Sequence, residues 1–263
     1  MIDAHTHTTF SFDAKSDPVA MAERGKELGL KYMAFTDHYD RDYAHIFRYR
    51  FIKQLKLDKY VEEMIKMKEK YPFLALGIEC GYSVRAEKDY CNNIPFDKMD
   101  YIVNSIHTID KLDCYEQAYF RKFDKETAYK QYLVKILESL DAKYEFDTVA
   151  HIGFVRKNAP YKDASMPLSE YGDIIEAILK KIIEKDKTLE VNSNIKYKDF
   201  MPTAEVLRLY YDLGGRNVTF GSDAHITDRV ADMYTDAAEL AKSIGFTYWT
   251  VYRERKPQKI EIE

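Results

Sequence analysis

Nothing in the 263-residue chain approaches the length of apolar run that spans a bilayer, and the first strand-like segment begins at once with Ile2-Asp3-Ala4-His5. That leaves no room for a secretory leader, so a cytoplasmic protein is expected. Cysteine is scarce. Cys80, Cys91 and Cys114 are odd in number and lack CxxC spacing, which argues against both a disulfide framework and a thiolate zinc site. They are expected to be free thiols. Charge of one sign is also missing: 40 Lys and Arg are interspersed with 44 Asp and Glu, a net of −4, giving no attraction to nucleic acid or to a membrane surface. The expected partner is a small molecule. With no composition break, repeat or low-complexity stretch, one domain covering residues 1–263 is expected, large enough to bury a substantial core.

What the chain does have is histidine in a particular place. Six of its seven histidines sit where a short apolar run ends. The runs are Ile2-Asp3-Ala4-His5-Thr6-His7, Tyr32 to Asp37-His38, Tyr101 to His107, Thr148-Val149-Ala150-His151 and Val218 to Asp223-Ala224-His225, and Leu76-Gly77-Ile78-Glu79 ends in a carboxylate instead. Neutral imidazole and carboxylate are ligands that Zn, Fe and Mn favour. Only His45 lies outside the pattern; in its aromatic and basic loop, surface placement is expected.

Strand and helix signals alternate, as in parallel strands joined by crossover helices. Asp17-Pro18 supplies a cap and a first-turn proline for a helix that Gly29 closes. Leu57 to Met67, Tyr129 to Leu140, Ile174 to Ile183 and Val206 to Leu213 carry apolar residues at helical spacing, each ahead of a strand. Seven strands result. In a parallel barrel the carboxyl ends of the strands form one mouth, where all seven endings would meet.

Each motif alone is weak. HxH occurs by chance, a single His107 or His151 is more often a satisfied core histidine, and Asp37-His38 is weaker still. Glu79 at the end of an apolar strand is more telling, because a buried carboxylate needs a cation or a proton to compensate it. Six histidines and four acids at matching places on several strands have no common structural explanation, and the joint arrangement points to a metal site.

The set resembles the polymerase and histidinol phosphatase (PHP) family, with HxH at His5 and His7, a DH at Asp37-His38, Glu79, isolated His107 and His151, and a terminal DxH at Asp223 and His225. The likeness runs over the whole chain. The stretches Ser105 to Asp110, Tyr129 to Tyr132 and Ala150 to Lys157, with Gly245-Phe246 and Arg255-Lys256-Pro257, narrow it to the histidinol-phosphatase branch.

That resemblance implies an α/β fold, a distorted (β/α)7 TIM-like barrel, holding two to three divalent Zn, Fe or Mn ions. His5, His7, Glu79 and Asp223 would hold the first ion. Glu79 would bridge to a second, held also by His107 and His151, and Asp13, His38 and His225 would hold the third. Asp37 would orient a ligand. Arg156 would hold the phosphate, Asn192 and Lys196 would line the substrate, and Arg156, Glu79 and Asp223 would serve catalysis. The implied activity is hydrolysis of L-histidinol phosphate in histidine biosynthesis, with hydroxide bridging two ions attacking phosphorus. Another small phosphate ester or a nucleotide as substrate, and a non-catalytic module of the same family, are the alternatives; the latter would be expected to have lost ligands. An amidohydrolase also begins with HxH and uses a late Asp, but the extra histidine of the DxH and a bridging Glu79 separate it.

Overall fold

The computed structural model describes residues 1–46, 49, 51–195 and 199–263. Seven parallel strands form one sheet in the order β1 (Ile2–Thr6), β2 (Tyr32–Phe35), β3 (Leu74–Gly81), β4 (Tyr101–Ser105), β7 (Thr148–Val149), β8 (Thr188–Asn192) and β9 (Val218–Gly221). The ends of this sheet meet. Asp223 N–H donates to His5 O and His7 N–H donates to Ala224 O, both at 2.8 Å, so the sheet closes into a distorted barrel just beyond β9. Every residue of the seven strands is buried, as expected of strands covered on both faces.

Helices wrap the outside: α1 (Pro18–Glu27), α2 (Leu57–Lys70), α3 (Glu87–Asn93), α4 (Gln117–Lys122), α5 (Lys125–Ser139), α6 (Leu168–Glu184), α7 (Ala204–Asp212) and α8 (Tyr234–Ile244). The Asp17 carboxylate caps α1 by accepting from Val19 N–H and Ala20 N–H at 2.9 and 3.0 Å, and Gly29 leaves that helix with φ +67°. On α2 the buried face is Leu57, Tyr60, Val61, Met64 and Met67, the spacing that the sequence carries. No helix among the described residues is long and apolar enough to cross a membrane.

Two antiparallel hairpins stand apart from the barrel sheet: β5 (Thr108–Ile109) with β6 (Leu112–Asp113), and β10 (Tyr248–Arg253) with β11 (Lys256–Glu261). The second one plugs the amino-terminal end of the barrel. Trp249 is fully buried, Tyr32 donates to Tyr252 O at 2.9 Å, and the Arg255 guanidinium makes a fork to Asp147 at 2.7 and 2.9 Å, just ahead of β7. A cavity opens instead at the carboxyl ends of the strands.

Candidate metal centre

At the open end the strand termini bring five imidazoles around one carboxylate, with a sixth, His225, farther out. Glu79, on β3 and 1% exposed, has His5 Nε2, His7 Nε2 and His38 Nδ1 at 3.3, 3.5 and 2.9 Å from its Oε2. His107 Nε2 and His151 Nε2 lie 3.3 and 2.8 Å from its Oε1. Asp223 Oδ1 approaches His7 Nε2 at 3.2 Å and His5 Nε2 at 4.0 Å. Farther out, Asp13 Oδ2 sits 3.2 Å from His225 Nε2 and 3.6 Å from His38 Nε2. Ligands on a tetrahedral ion, each 2.0–2.1 Å from it, stand about 3.3 Å from one another. Three overlapping groups have ligand atoms close enough to share an ion: His5, His7 and Glu79; His38, Glu79 and His107; and His7, His38 and His225. His38 thus approaches Glu79 as well as Asp13, and the three groups interlock.

A layer of carboxylates fixes these rings. His5 Nδ1 donates to Glu190 Oε1 at 2.6 Å, and His151 N–H donates to Glu190 Oε2 at 2.7 Å, so one buried glutamate on β8 holds two strand ends. Gly221 makes room for it, since a Cβ there would collide with the Glu190 carboxylate and with His5. Asp40 Oδ1 accepts from His107 Nδ1 at 2.9 Å and comes so close to Gly81 that a side chain at 81 would overlap it. Asp37 accepts from Thr8 N–H and Oγ1–H and from Ser11 N–H and Oγ–H at 2.6–2.9 Å. Having given its proton to Asp37, the Ser11 hydroxyl can only accept from His7 Nδ1, 3.2 Å away, which leaves His7 Nε2 a bare lone pair facing inward. Asp37 therefore acts on His7 through Ser11. His151 and Asp223 hold left-handed backbone, φ +27° and +52°, a conformation that costs energy and is kept by these contacts.

His5 Nδ1 faces a carboxylate and so carries a proton, and its Nε2 lies 3.1 Å from the lone pair of His7 Nε2. Something positive must sit between those two nitrogens. In the ion-free protein a proton takes that role: burial opposes it, but Glu190 and Glu79 outweigh burial and hold the His5 imidazole well above its usual pKa. His7, desolvated and facing His225 and His38, is pushed down to about 3. Burial also acts against the Glu79 and Asp223 carboxylates, yet the surrounding imidazoles keep both well below the usual range. Glu79 Oε2 and His38 Nδ1 are buried without a well-directed hydrogen bond. The residues fit divalent ions, whose binding would displace protons from the rings.

A cavity of about 540 Å³ opens onto this cluster, walled by Phe12, Tyr43, Tyr49, Tyr115 and Phe154, with Lys15, Lys157 and Arg229 as its cations. His45 is exposed, as expected, and does not line it. Two of the expected substrate residues, Arg156 and Asn192, do not line that cavity. Arg156 is buried behind that lining: its Nη2 donates to Asp199 at 2.8 Å and its Nε to Ala164 O at 3.4 Å, while its Nη1 is buried without a hydrogen-bond partner. The turn Phe154–Arg156 after Gly153 points the next residue, Lys157, into the opening instead. Asn192 is fully buried, spending its amide on Glu190 at 3.1 Å and accepting from Asn194 N–H at 2.8 Å; Asn194 is the residue that reaches the cavity. Lys196 lies outside the described residues. Glu190 and Asp40 were not anticipated. A glutamate inside Thr188-Leu189-Glu190-Val191 was the available signal for the first, by the argument that singles out Glu79; Asp40, in the polar stretch after His38, had none.

Comparison with known proteins agrees with this picture. The PHP domain family model matches residues 3–194. A probable histidinol-phosphatase of Clostridium acetobutylicum is 29% identical over 248 residues, covering 92% of this chain and 93% of its own length. The histidinol-phosphatase of Lactococcus lactis is 26% identical over 254 residues, 93% of this chain and 91% of its own. The crystal structure of the histidinol phosphate phosphatase from Lactococcus lactis, complexed with zinc, L-histidinol and phosphate, superposes with a TM-score of 0.86 at 25% identity over 98% of both chains.

Proposed function

The chain belongs to the PHP domain family, and from that we propose that it is a metal-dependent phosphomonoesterase that hydrolyses L-histidinol phosphate to L-histidinol and phosphate. One observation carries the reading: six imidazoles and Glu79 converge at the mouth of the barrel with every ligand of the family pattern present. Relatives named as histidinol-phosphatases align over more than nine-tenths of both lengths, and one of them binds zinc, L-histidinol and phosphate. A non-catalytic module has no support in a site that keeps all its ligands. The family model stops at residue 194, yet Asp223 and His225 complete the cluster, so we read residues 1–263 as one catalytic unit.

We assign His5, His7, Glu79 and Asp223 to a first ion, Glu79, His107 and His151 to a second, and Asp13, His38 and His225 to a third. Zinc, iron or manganese would suit these nitrogen and oxygen donors. Bound there, such ions lower the pKa of water to near neutrality and offset charge on a phosphoryl group. The protein's own residues do the rest. Glu190, Asp40 and the Asp37–Ser11 pair keep the imidazole lone pairs aimed at one point. Lys15, Lys157 and Arg229 make the entrance attractive to a dianionic ester. The aromatic wall offers stacking surfaces for an imidazole ring.

A phosphate-release screen of the metal-loaded protein against L-histidinol phosphate, nucleotides and an aryl phosphate tests this. L-histidinol phosphate should give the highest kcat/KM. A nucleotide preferred over it would keep the phosphoesterase and replace the substrate, and no release from any ester would overturn both.

A further inference from the structure

Asp3 takes no part in the cluster, yet it stands directly below it. The alternation of β1 puts Asp3 on the same face as His5 and His7, and its side chain is fully buried. A carboxylate in that position is costly unless donors surround it. Its Oδ1 accepts from Ser222 N–H at 2.9 Å and from His5 N–H at 3.4 Å, and its Oδ2 accepts from Ser222 Oγ–H at 2.5 Å and from Ala231 N–H at 2.8 Å. One side chain of the first strand thus grips the loop after β9 at both ends. Between those ends lie Asp223 and His225, which face the cluster, and Ile226 and Arg229, which wall the cavity. Backbone contacts to β1 hold the middle, from Asp223 N–H to His5 O and from His7 N–H to Ala224 O. The ends need more than that. Asp223 and Ala231 both have left-handed backbone, φ +52° and +55°, a costly conformation for a residue with a side chain that persists only where its surroundings hold it. Both sit at the points that Asp3 grips. By contrast, the hydrogen bonds that orient His107 and His151 come from Asp40, Glu190 and Tyr132, and none comes from this loop.

Resting on the metal assignments above, we propose that Asp3 is a positioning residue for two of the three ions: it holds both ends of the loop that carries Asp223 and His225, and so sets where these two ligands stand against His5, His7 and His38. The ion assigned to Glu79, His107 and His151 is outside its reach. A carboxylate that merely sealed the seam of the barrel would stabilise the fold without favouring any one ion.

The experiment measures ion count and melting temperature on the full chain, loaded with zinc and then dialysed against graded chelator. Asp3→Asn keeps the shape of the side chain but turns one of its acceptors into a donor that faces the donors of Ser222 or Ala231. It should hold the ions of the first and third sites on the order of 10- to 100-fold more weakly, the scale of losing a contact that orients a ligand, and the ion of the second site within a few-fold of the parent. Adding His107→Ala to Asp3→Asn should strip that remaining ion. Ser222→Ala, which deletes a single donor, should show the same selective loss at a smaller scale, and it carries the test if Asp3→Asn does not fold. A lower melting temperature with every ion retained at its parent affinity would overturn the proposal and leave Asp3 as a seal of the barrel. Equal weakening of all the ions would overturn it too, since the effect would then not run through the loop. A parent protein that binds no zinc would sink the metal assignments and this inference with them, whereas a loaded parent and an equally loaded Asp3→Asn would sink this inference alone.

Discussion

Glu190 touches no ligand atom at the centre of the cluster, yet it orients the His5 ring and holds the backbone that carries His151. Its Oε1 fixes the His5 tautomer and its Oε2 pins the backbone of His151 in a left-handed conformation. Removing the charge while keeping the shape isolates that role: Glu190→Gln should bind metal about 10- to 100-fold more weakly, the usual loss when the partner of a metal-ligating histidine is changed. Elemental analysis after dialysis against graded chelator would show it. Full metal retention in Glu190→Gln would mean that His5 is oriented by its other neighbours. The chemistry explains why Glu79 was legible in the chain and Asp40 was not. A carboxylate inside an apolar run demands a partner, whereas a carboxylate in a polar loop makes no such demand until the fold brings His107 to it from another strand end.

At the scale of elements, cap and periodicity located α1, α2, α5, α6 and α7 but not α8, and began several of them late. The buried stripe of α5 begins at Ala128 and that of α6 at Tyr171, while the first turns are polar and are set by local contacts such as Asp124 accepting from Thr127 N–H at 2.8 Å. All seven barrel strands were visible as apolar runs. The hairpins were not: β5 and β6 are two residues each and β11 is almost wholly exposed, although β10 does bury Trp249 to Tyr252. The contact that ties the 3-10 turn Arg41–His45 to β5 gives a test with a definite sign. Burial acts to raise the Asp42 carboxyl, but the Arg85 fork at 2.8 and 2.9 Å and the Thr108 hydroxyl outweigh it and hold the group below its usual range. A depressed carboxyl stabilises the fold above its unfolded pKa of about 4 and loses that contribution as pH falls through the folded value. In urea unfolding of the metal-free protein, Asp42→Asn should therefore be less stable than the parent at pH 7, and the gap should close below pH ~4. A gap that stays constant down to acid pH would show that charge at Asp42 is not what the contact uses.

For the molecule as a whole, the cluster draws on every barrel strand: the ends of β1, β2, β3, β4, β7 and β9 carry the side chains that would ligate ions, and β8 supplies Glu190. Ions bound there would tie the strand ends together across the seam where His5 and Asp223 close the sheet. Chelation should lower the melting temperature by about 5–10 °C, since a ligand present at roughly 100 times its dissociation constant stabilises by about 2.7 kcal/mol. An unshifted melting curve would place the ions elsewhere. The most direct test of the central claim joins metal content to turnover: phosphate release from L-histidinol phosphate by the chelated protein, by the same protein reloaded with zinc or manganese, and by Glu79→Gln treated identically. The account predicts no release without metal, recovery on binding of two to three ions per chain, and a Glu79→Gln variant that regains neither full metal content nor activity. Equal rates with and without metal, or a fully loaded Glu79→Gln with normal turnover, would contradict it.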